Sequence, residues 1–362
     1  MYSLRLLMEN AVMQDSRELL ILPEGESTSR ISEALLYALS GDGPAIATTP
    51  ISQSTVPRKV ALALSTTGST GRPKEIFLTT KALIASARSA HRFLDARPGD
   101  RWSLLLPLTH IAGINVLVRS LELGTEVIDL RKSERFIDVD FTAIVPTQLF
   151  RALNGDSALL AHLKNAKAVL VGGASTDPSL LEKALSAGVN VITTYGMSET
   201  SGGCVYNHKP LDGVSVRINS EGLIEIKGDV IAYGLGEWFT TSDLGEMRGD
   251  ELYFLGRADD VINSGGEKIS LFSVEELLHS TFPHQRFIAF SLPDSEWGEA
   301  LALASDSPFD KDSVAEKLKS GLGYQYSPKH FFQWDEIPSK GIGKPDRAMA
   351  RNRALHTSEG RF

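Results

Sequence analysis

Ser65-Thr66-Thr67-Gly68-Ser69-Thr70-Gly71-Arg72-Pro73-Lys74 lies between an apolar run at 60–64 and a helix-like segment at 81–94. Hydroxyls and glycine N–H groups crowded together form an anion-binding concavity, and Lys74 adds a compact positive charge. The stretch is not a Walker A loop, which needs G-x-x-x-x-G-K-[ST], because Pro73 precedes the lysine. The plainer alternative is a flexible polar connection. Working outward, apolar runs at 60–64, 103–106, 142–145, 168–171 and 189–193 have the length of buried strands. The segment 81–94 offers Thr79 or Thr80 as its N-cap. Strand and helix alternating in this way predict an α/β core with a largely parallel sheet, the stretch itself leading from strand into helix.

Near 223–226 the pattern shifts to short alternating strands with glycine turns, including 251–255, and predicts an antiparallel patch. After Gly256-Arg257-Ala258-Asp259-Asp260, a helical segment at 271–280 opens a smaller α+β unit. The expected domains are 1–257 and 258–362. No repeat, heptad pattern or low-complexity tract is evident.

The chain has 362 residues, which fits two or three domains at about 150 residues each. Charged residues make up 23% and hydrophobic residues 42%, enough apolar material for a packed core. A formal charge of −8 argues against general nucleic-acid binding, which depends on neutralising phosphates. A single cysteine, Cys204, excludes an intramolecular disulfide and a multi-cysteine metal site. No apolar run approaches the ~18 residues of a membrane span, and the start lacks a secretory signal. The expectation is a cytoplasmic protein with small-molecule partners and no membrane partner. A homodimer is left open.

The order of residues in the opening stretch resembles the phosphate loop of the adenylate-forming (ANL-type) superfamily, which includes acyl-CoA synthetases. Further signatures of that family follow in order. Pro107-Leu108-Thr109-His110-Ile111-Ala112-Gly113 resembles the segment whose histidine borders the acyl pocket, and Gly172-Gly173-Ala174 the adenine-side loop. Tyr195-Gly196-Met197-Ser198-Glu199-Thr200 resembles the Y-G-x-[ST]-E motif. Trp238-Phe239-Thr240-Thr241-Ser242-Asp243 resembles the ribose motif, with Ser242 in place of the usual glycine. Gly256-Arg257-Ala258-Asp259-Asp260 resembles the hinge, and Gly341-Ile342-Gly343-Lys344-Pro345-Asp346-Arg347 the catalytic-lysine motif. Singly, each has an ordinary structural explanation: His110 a loop histidine, Glu199 and Asp243 solvated acids, Lys344 a surface lysine. Seven in sequence do not.

Within the superfamily, 194–206 with Pro210-Leu211-Asp212-Gly213-Val214, and 110–113 continued by Val116-Leu117-Val118-Arg119-Ser120, resemble the short bacterial o-succinylbenzoate–CoA ligases of menaquinone biosynthesis. The resemblance implies a large α/β domain with an abbreviated N-terminal part and a small mobile domain rotating about Asp259. It also implies ATP, Mg²⁺ and coenzyme A. Thr66, Thr67, Gly68, Ser69, Thr70, Gly71 and Lys74 would hold the β- and γ-phosphates, with Ser198 at the α-phosphate and Glu199 at Mg²⁺. Tyr195, with Gly196 and Met197, would face the adenine beside Gly172, Gly173 and Ala174. Asp243 and Arg257 would hold the ribose. Lys344 would bridge the acyl carboxylate and α-phosphate, and Gly265-Gly266 would pass pantetheine. His110, Ser201 and, less directly, Arg119 are the expected contacts of the substrate's second carboxylate, with Gly202 and Gly203 leaving room for its ring. The alternatives are an acyl- or aryl-CoA ligase for another acid, a carrier-loading domain, or a non-catalytic nucleotide-binding homologue.

Overall fold

Short apolar runs pair side by side and bury both faces, as parallel strands covered by helices do. The computed structural model describes residues 15–23, 25–67, 73–133, 135–283, 285–340 and 344–356. The first sheet has the order β3-β1-β2-β4-β5, built from β1 (Ser16–Ile21), β2 (Ala45–Ala47), β3 (Thr55–Pro57), β4 (Val60–Thr67) and β5 (Pro73–Thr79). Strands β1, β2 and β4 are parallel, and β3 and β5 close the edges antiparallel. Helix α1 (Thr28–Ser40) covers one face, with Ser27 as N-cap. Helix α2 (Thr80–Leu94) starts at Thr79, whose Oγ1 accepts the Ala82 N–H at 3.1 Å.

The opening stretch does not lead into a helix. It leads from β4 into β5, with Thr66 opposite Lys74 and Thr67 opposite Pro73, so it forms the end of a hairpin. The reason lies in 73–79, where Ile76 and Leu78 are buried at alternate positions, the period of a strand. Gly68, Ser69, Thr70, Gly71 and Arg72 lie outside the described residues.

The second sheet runs β12-β11-β10-β9-β8-β6-β7. It comprises β6 (Trp102–Leu104), β7 (Ile128–Asp129), β8 (Phe141–Ile144), β9 (Ala168–Val171), β10 (Val191–Met197), β11 (Gly202–Tyr206) and β12 (Lys209–Pro210). Strands β10 to β7 are parallel, and β11 and β12 extend the sheet antiparallel. Helix α3 (Ile111–Glu122) packs with α2, and their apolar faces share one core with both sheets, including Leu62, Leu83, Trp102, Leu117 and Phe141. Helices α4 (Pro146–Leu153), α5 (Ser157–Asn165) and α6 (Pro178–Ser186) cover the other face around Leu149, Leu163 and Val169.

The expected antiparallel patch is the sheet β13 (Val214–Ile218), β14 (Leu223–Gly228), β15 (Trp238–Arg248) and β16 (Glu251–Arg257). A last sheet combines β17 (Val261–Ser264), β18 (Glu267–Ser270), β19 (Phe287–Asp294), β20 (Gly298–Ser305) and β21 (His330–Gln333). Helices α7 (Leu271–Thr281) and α8 (Lys311–Leu322) pack on it around Val274, Leu278, Leu303 and Leu318. The hairpin β22 (Ser339–Lys340) and β23 (Lys344–Pro345) leads into α9 (Arg347–His356), which buries Ala350 and Ala354 against Phe290 and Phe332. Helix α7 meets β16 in an edge-on contact of Phe272 and Phe254, with ring centroids 5.1 Å apart. Gly256, at φ 114°, permits this approach: a Cβ there would stand 2.7 Å from the Phe272 Cβ. No helix among the described residues is long and apolar enough to cross a membrane.

Candidate active site

Parallel strands aim their carboxyl ends at one rim, where open α/β sheets place their ligands. β4 ends at Thr66-Thr67, β9 at Gly172-Gly173 and β10 at Ser198-Glu199, and β6 leads to His110. Several of the sequence-predicted residues therefore stand at the carboxyl ends of strands.

Glu199 sits in a single 3₁₀ turn, Ser198–Thr200, that follows β10. Thr200 is fully buried and holds the turn: its hydroxyl accepts the Met197 N–H at 2.9 Å and donates to the Gly202 carbonyl at 2.7 Å. The Ala232 N–H donates to the Glu199 carbonyl at 2.8 Å. With its backbone fixed on both sides, Glu199 places Oε1 3.0 Å from Lys74 Nζ across the rim. The Lys74 side chain is 50% exposed and that of Glu199 15%, so water reaches the pair. Thr66 closes the base of the hairpin, its Oγ1 donating to the Lys74 carbonyl at 3.3 Å.

A second polar group forms beside it. Asp243 is buried, and its Oδ2 accepts from the Tyr195 hydroxyl at 2.8 Å. Arg257 Nη1 approaches Asp243 Oδ1 at 3.4 Å, while its Nε and Nη2 grip Asp259 at 2.7 and 3.0 Å. Burial first, and then the Asp243 charge, push the Tyr195 phenol well above its ordinary range, so it stays protonated as a donor. The Gly172 position is tight: a Cβ there would lie 2.2 Å from Thr194 Oγ1. At Gly196 a Cβ would lie 2.1 Å from the Gly202 carbonyl, so this glycine serves the approach of β11 at an irregularity of the ladder. Gly173 and Ala174 continue the loop at the end of β9.

The acyl side departs from expectation. His110 caps α3 with its backbone, its carbonyl accepting from Gly113 and Ile114, and its side chain is exposed. Ser201 is fully buried, and its hydroxyl donates to the Val230 carbonyl at 2.8 Å. Its carbonyl accepts from Ser86 Oγ at 2.9 Å and Asn115 Nδ2 at 2.7 Å. In this structure the Ser201 hydroxyl is spent on the Val230 carbonyl. Gly202 and Gly203 do not leave room for a ring. A Cβ at Gly202 would stand 2.1 Å from Asn115 Nδ2, and one at Gly203 2.9 Å from the Tyr206 ring.

Arg119, about two and a half turns beyond His110, is 4% exposed. Its Nη2 donates to the Tyr206 hydroxyl at 3.0 Å, its guanidinium lies 5.0 Å from the Trp102 ring centroid, and its Nε has no hydrogen-bond partner. Asn115 was not anticipated. Its signal was a lone amide in the apolar run Ile111–Glu122, a position that demands a partner once buried.

Gly265 and Gly266, at φ 61° and 90°, form the turn joining β17 and β18 and are exposed. A two-residue turn with both φ positive requires such residues, and a Cβ at Gly265 would also strike Trp297 at 2.2 Å. Lys344 begins β23, with its backbone opposite Lys340; Gly341, Ile342 and Gly343 lie outside the described residues. No group of three or more His, Cys, Asp or Glu among the described residues could cage a metal. Glu199 alone suits Mg²⁺, which keeps waters and takes its other ligands from phosphates.

Residues 9–224 match the family model of the AMP-binding enzymes, and the chain belongs to that family. It is 36% identical to a probable 2-succinylbenzoate–CoA ligase of Mycobacterium tuberculosis, covering 90% of this chain and 96% of that one. A 2-succinylbenzoate–CoA ligase of Lactococcus lactis is 26% identical, over 79% and 69%. Among solved structures, the Bacillus subtilis o-succinylbenzoate CoA synthetase in complex with the acyl-adenylate intermediate shares the fold. Its TM-score is 0.74 at 21% identity, over 95% of this chain and 89% of that one.

Proposed function

We propose that this chain ligates 2-succinylbenzoate to coenzyme A at the expense of ATP, through an acyl-adenylate, in menaquinone biosynthesis. The observation that carries the reading is the convergence at one rim of Lys74, Glu199, Tyr195, Asp243 and Arg257, together with 36% identity to a ligase of that name over 90% of the chain. In the first half-reaction an oxygen of the aliphatic carboxylate bonds to the α-phosphorus, and pyrophosphate leaves. In the second, the thiol sulfur bonds to the acyl carbon, the C–O bond to AMP breaks, and the thiol proton is released.

Each residue set has work that its chemistry suits. The hairpin end, Thr66 to Lys74, receives the β- and γ-phosphates, and Lys74 exchanges Glu199 for phosphate oxygens. Ser198 donates to the α-phosphate. Glu199, released from Lys74, holds Mg²⁺, which when bound neutralises developing phosphate charge. Asp243 accepts ribose hydroxyls beside the planar donors of Arg257. Tyr195 lies along the adenine next to Gly172, Gly173 and Ala174, and His110 stands at the pocket mouth. Arg119 is the better candidate for the second carboxylate, because it is a buried cation with an unpartnered Nε where Ser201 has no donor left. Lys344 serves adenylation and must leave before thiol attack, when Gly265-Gly266 would line the pantetheine path.

The division into 1–257 and 258–362, with rotation about Asp259, is part of the proposal. It is supported by hydrophobic clusters that draw on one side of residue 258 only. The test is a reaction with ATP, Mg²⁺, coenzyme A and a panel of carboxylic acids. AMP release with a thioester of the succinylbenzoate mass supports the reading; turnover of other acids only would return the chain to the wider acyl-CoA ligases.

A further inference from the structure

Arg347 lies three residues past Lys344 and faces two acids. Its Nη1 and Nη2 donate to the two oxygens of Glu275 on α7, each at 3.0 Å, while Nε lies 3.2 Å from Asp260 Oδ1 as an ion pair without hydrogen-bond geometry. Glu275 is buried, and the same carboxylate accepts the Ala289 N–H of β19 at 2.8 Å. On the other side of Arg347, the Asp346 N–H donates to the Pro338 carbonyl at 3.0 Å and its Oδ1 caps α9 through Met349 N–H. The β22–β23 hairpin is therefore tied to Arg347 through its own base.

A buried ion pair is weak ground for stability, since an apolar pair of similar volume often does as well. What an apolar pair lacks is direction. The guanidinium fork fixes the two Glu275 oxygens in its plane. Its charge also holds Asp260, one residue beyond Asp259, as an ion pair at 3.2 Å.

We infer that Arg347 is a positioning residue for adenylation, making the Lys344 hairpin, α7 and the chain just past Asp259 one rigid piece. The inference rests on the reading of Lys344 as the adenylation lysine. A backbone rotation at Asp259 then carries the Lys344 backbone together with α7. Misplacement by about 1 Å can cost on the order of 10²-fold in rate.

The experiment follows the two half-reactions separately in the full chain: pyrophosphate exchange with ATP and acid, and thioester formation from supplied acyl-adenylate and coenzyme A. Arg347→Lys keeps the charge and removes the fork. The expected result is a kcat for adenylation lowered by about 10- to 100-fold, unchanged KM values, and thioester formation within about twofold of the parent. Combined with Lys344→Ala, it should add nothing to the loss that Lys344→Ala causes alone. Because a lost fork strands a buried carboxylate, Asp260→Asn serves as the second variant, leaving the Glu275 pair in place. It should slow adenylation by about threefold or more and spare the other half.

Equal losses in both half-reactions, additivity with Lys344→Ala, or an Asp260→Asn enzyme with parental adenylation would each overturn the positioning role. Full adenylation by Lys344→Ala would overturn the lysine's assignment and the positioning role together. A normal Lys344→Ala loss beside a uniform Arg347→Lys effect overturns the positioning role alone.

Discussion

The residues proposed to hold the nucleotide and those proposed to face the acid grow from neighbouring strand ends, yet they engage their polar groups differently. On the nucleotide side, Lys74 pairs with Glu199 and Arg257 with Asp259, each with at least one partner more than a third exposed. Such pairs contribute little to stability, so phosphate or ribose oxygens can replace either partner cheaply. On the side proposed for the acid, Asn115, Ser201 and Arg119 are buried, and the Ser201 hydroxyl and Asn115 amide are spent on the Val230 and Ser201 carbonyls. A half-exposed pair is exchangeable; a buried contact is architecture. Variants on the first side should alter rates and spare the fold, whereas those on the second should do the reverse, with Arg119 as the exception.

The largest effect tests the exchangeable side. Glu199→Gln should slow adenylation by about 10²- to 10³-fold, the scale for losing one preorganised electrostatic group, and leave the denaturation midpoint unchanged. Pyrophosphate exchange and urea unfolding check the two halves of that statement.

Arg119→Met breaks the comparison where it should be breakable. The parent's preference for 2-succinylbenzoate over 4-phenyl-4-oxobutanoate, which lacks the aromatic carboxylate, should fall by about 100-fold or more. A retained preference, measured as the ratio of kcat/KM values, would place the second carboxylate elsewhere.

Ser201→Ala sharpens the contrast. It removes the donor to the Val230 carbonyl and should cost about 1 kcal/mol of stability without changing acid preference. A changed preference with unaltered stability would restore Ser201 as a substrate contact.

The smallest effect concerns His91, buried behind Arg119 with Nδ1 2.7 Å from Glu122. Burial lowers its pKa, although the Glu122 hydrogen bond works in the other direction. The unfolded imidazole takes up a proton below about pH 6.5, while the folded one does so only at lower pH. Its contribution to stability is whole above that value and declines as the pH falls beneath it. Denaturation midpoints of the parent and His91→Gln should therefore draw together between pH 7.5 and 5.5. The limit is about 1.4 kcal/mol per pH unit.

The same contrast explains what the sequence disclosed. Strand 168–171 and helix 81–94 were legible because apolar periodicity and a threonine cap specify them locally. The nucleotide side was legible because glycines, hydroxyls and charges stand at strand ends, where local order fixes their neighbours. Strand β5 was missed behind Pro73, although Ile76 and Leu78 alternate as a strand requires. The burial of the residues proposed for the acid side was illegible for a different reason. Whether Ser201 faces a pocket or the Val230 carbonyl depends on how β11 packs against α3, and Gly202 gives its space to Asn115, a residue 87 positions earlier. Composition and spacing carry no record of such a contact.

The most direct test of the account is the ratio of kcat/KM for 2-succinylbenzoate to that for 4-phenyl-4-oxobutanoate in the unaltered enzyme, with ATP, Mg²⁺ and coenzyme A. The proposed pairing of Arg119 with the aromatic carboxylate predicts a ratio of about 10² or more, with AMP and the succinylbenzoyl thioester formed in equal amounts. A ratio near one would contradict the assignment of the substrate and of Arg119.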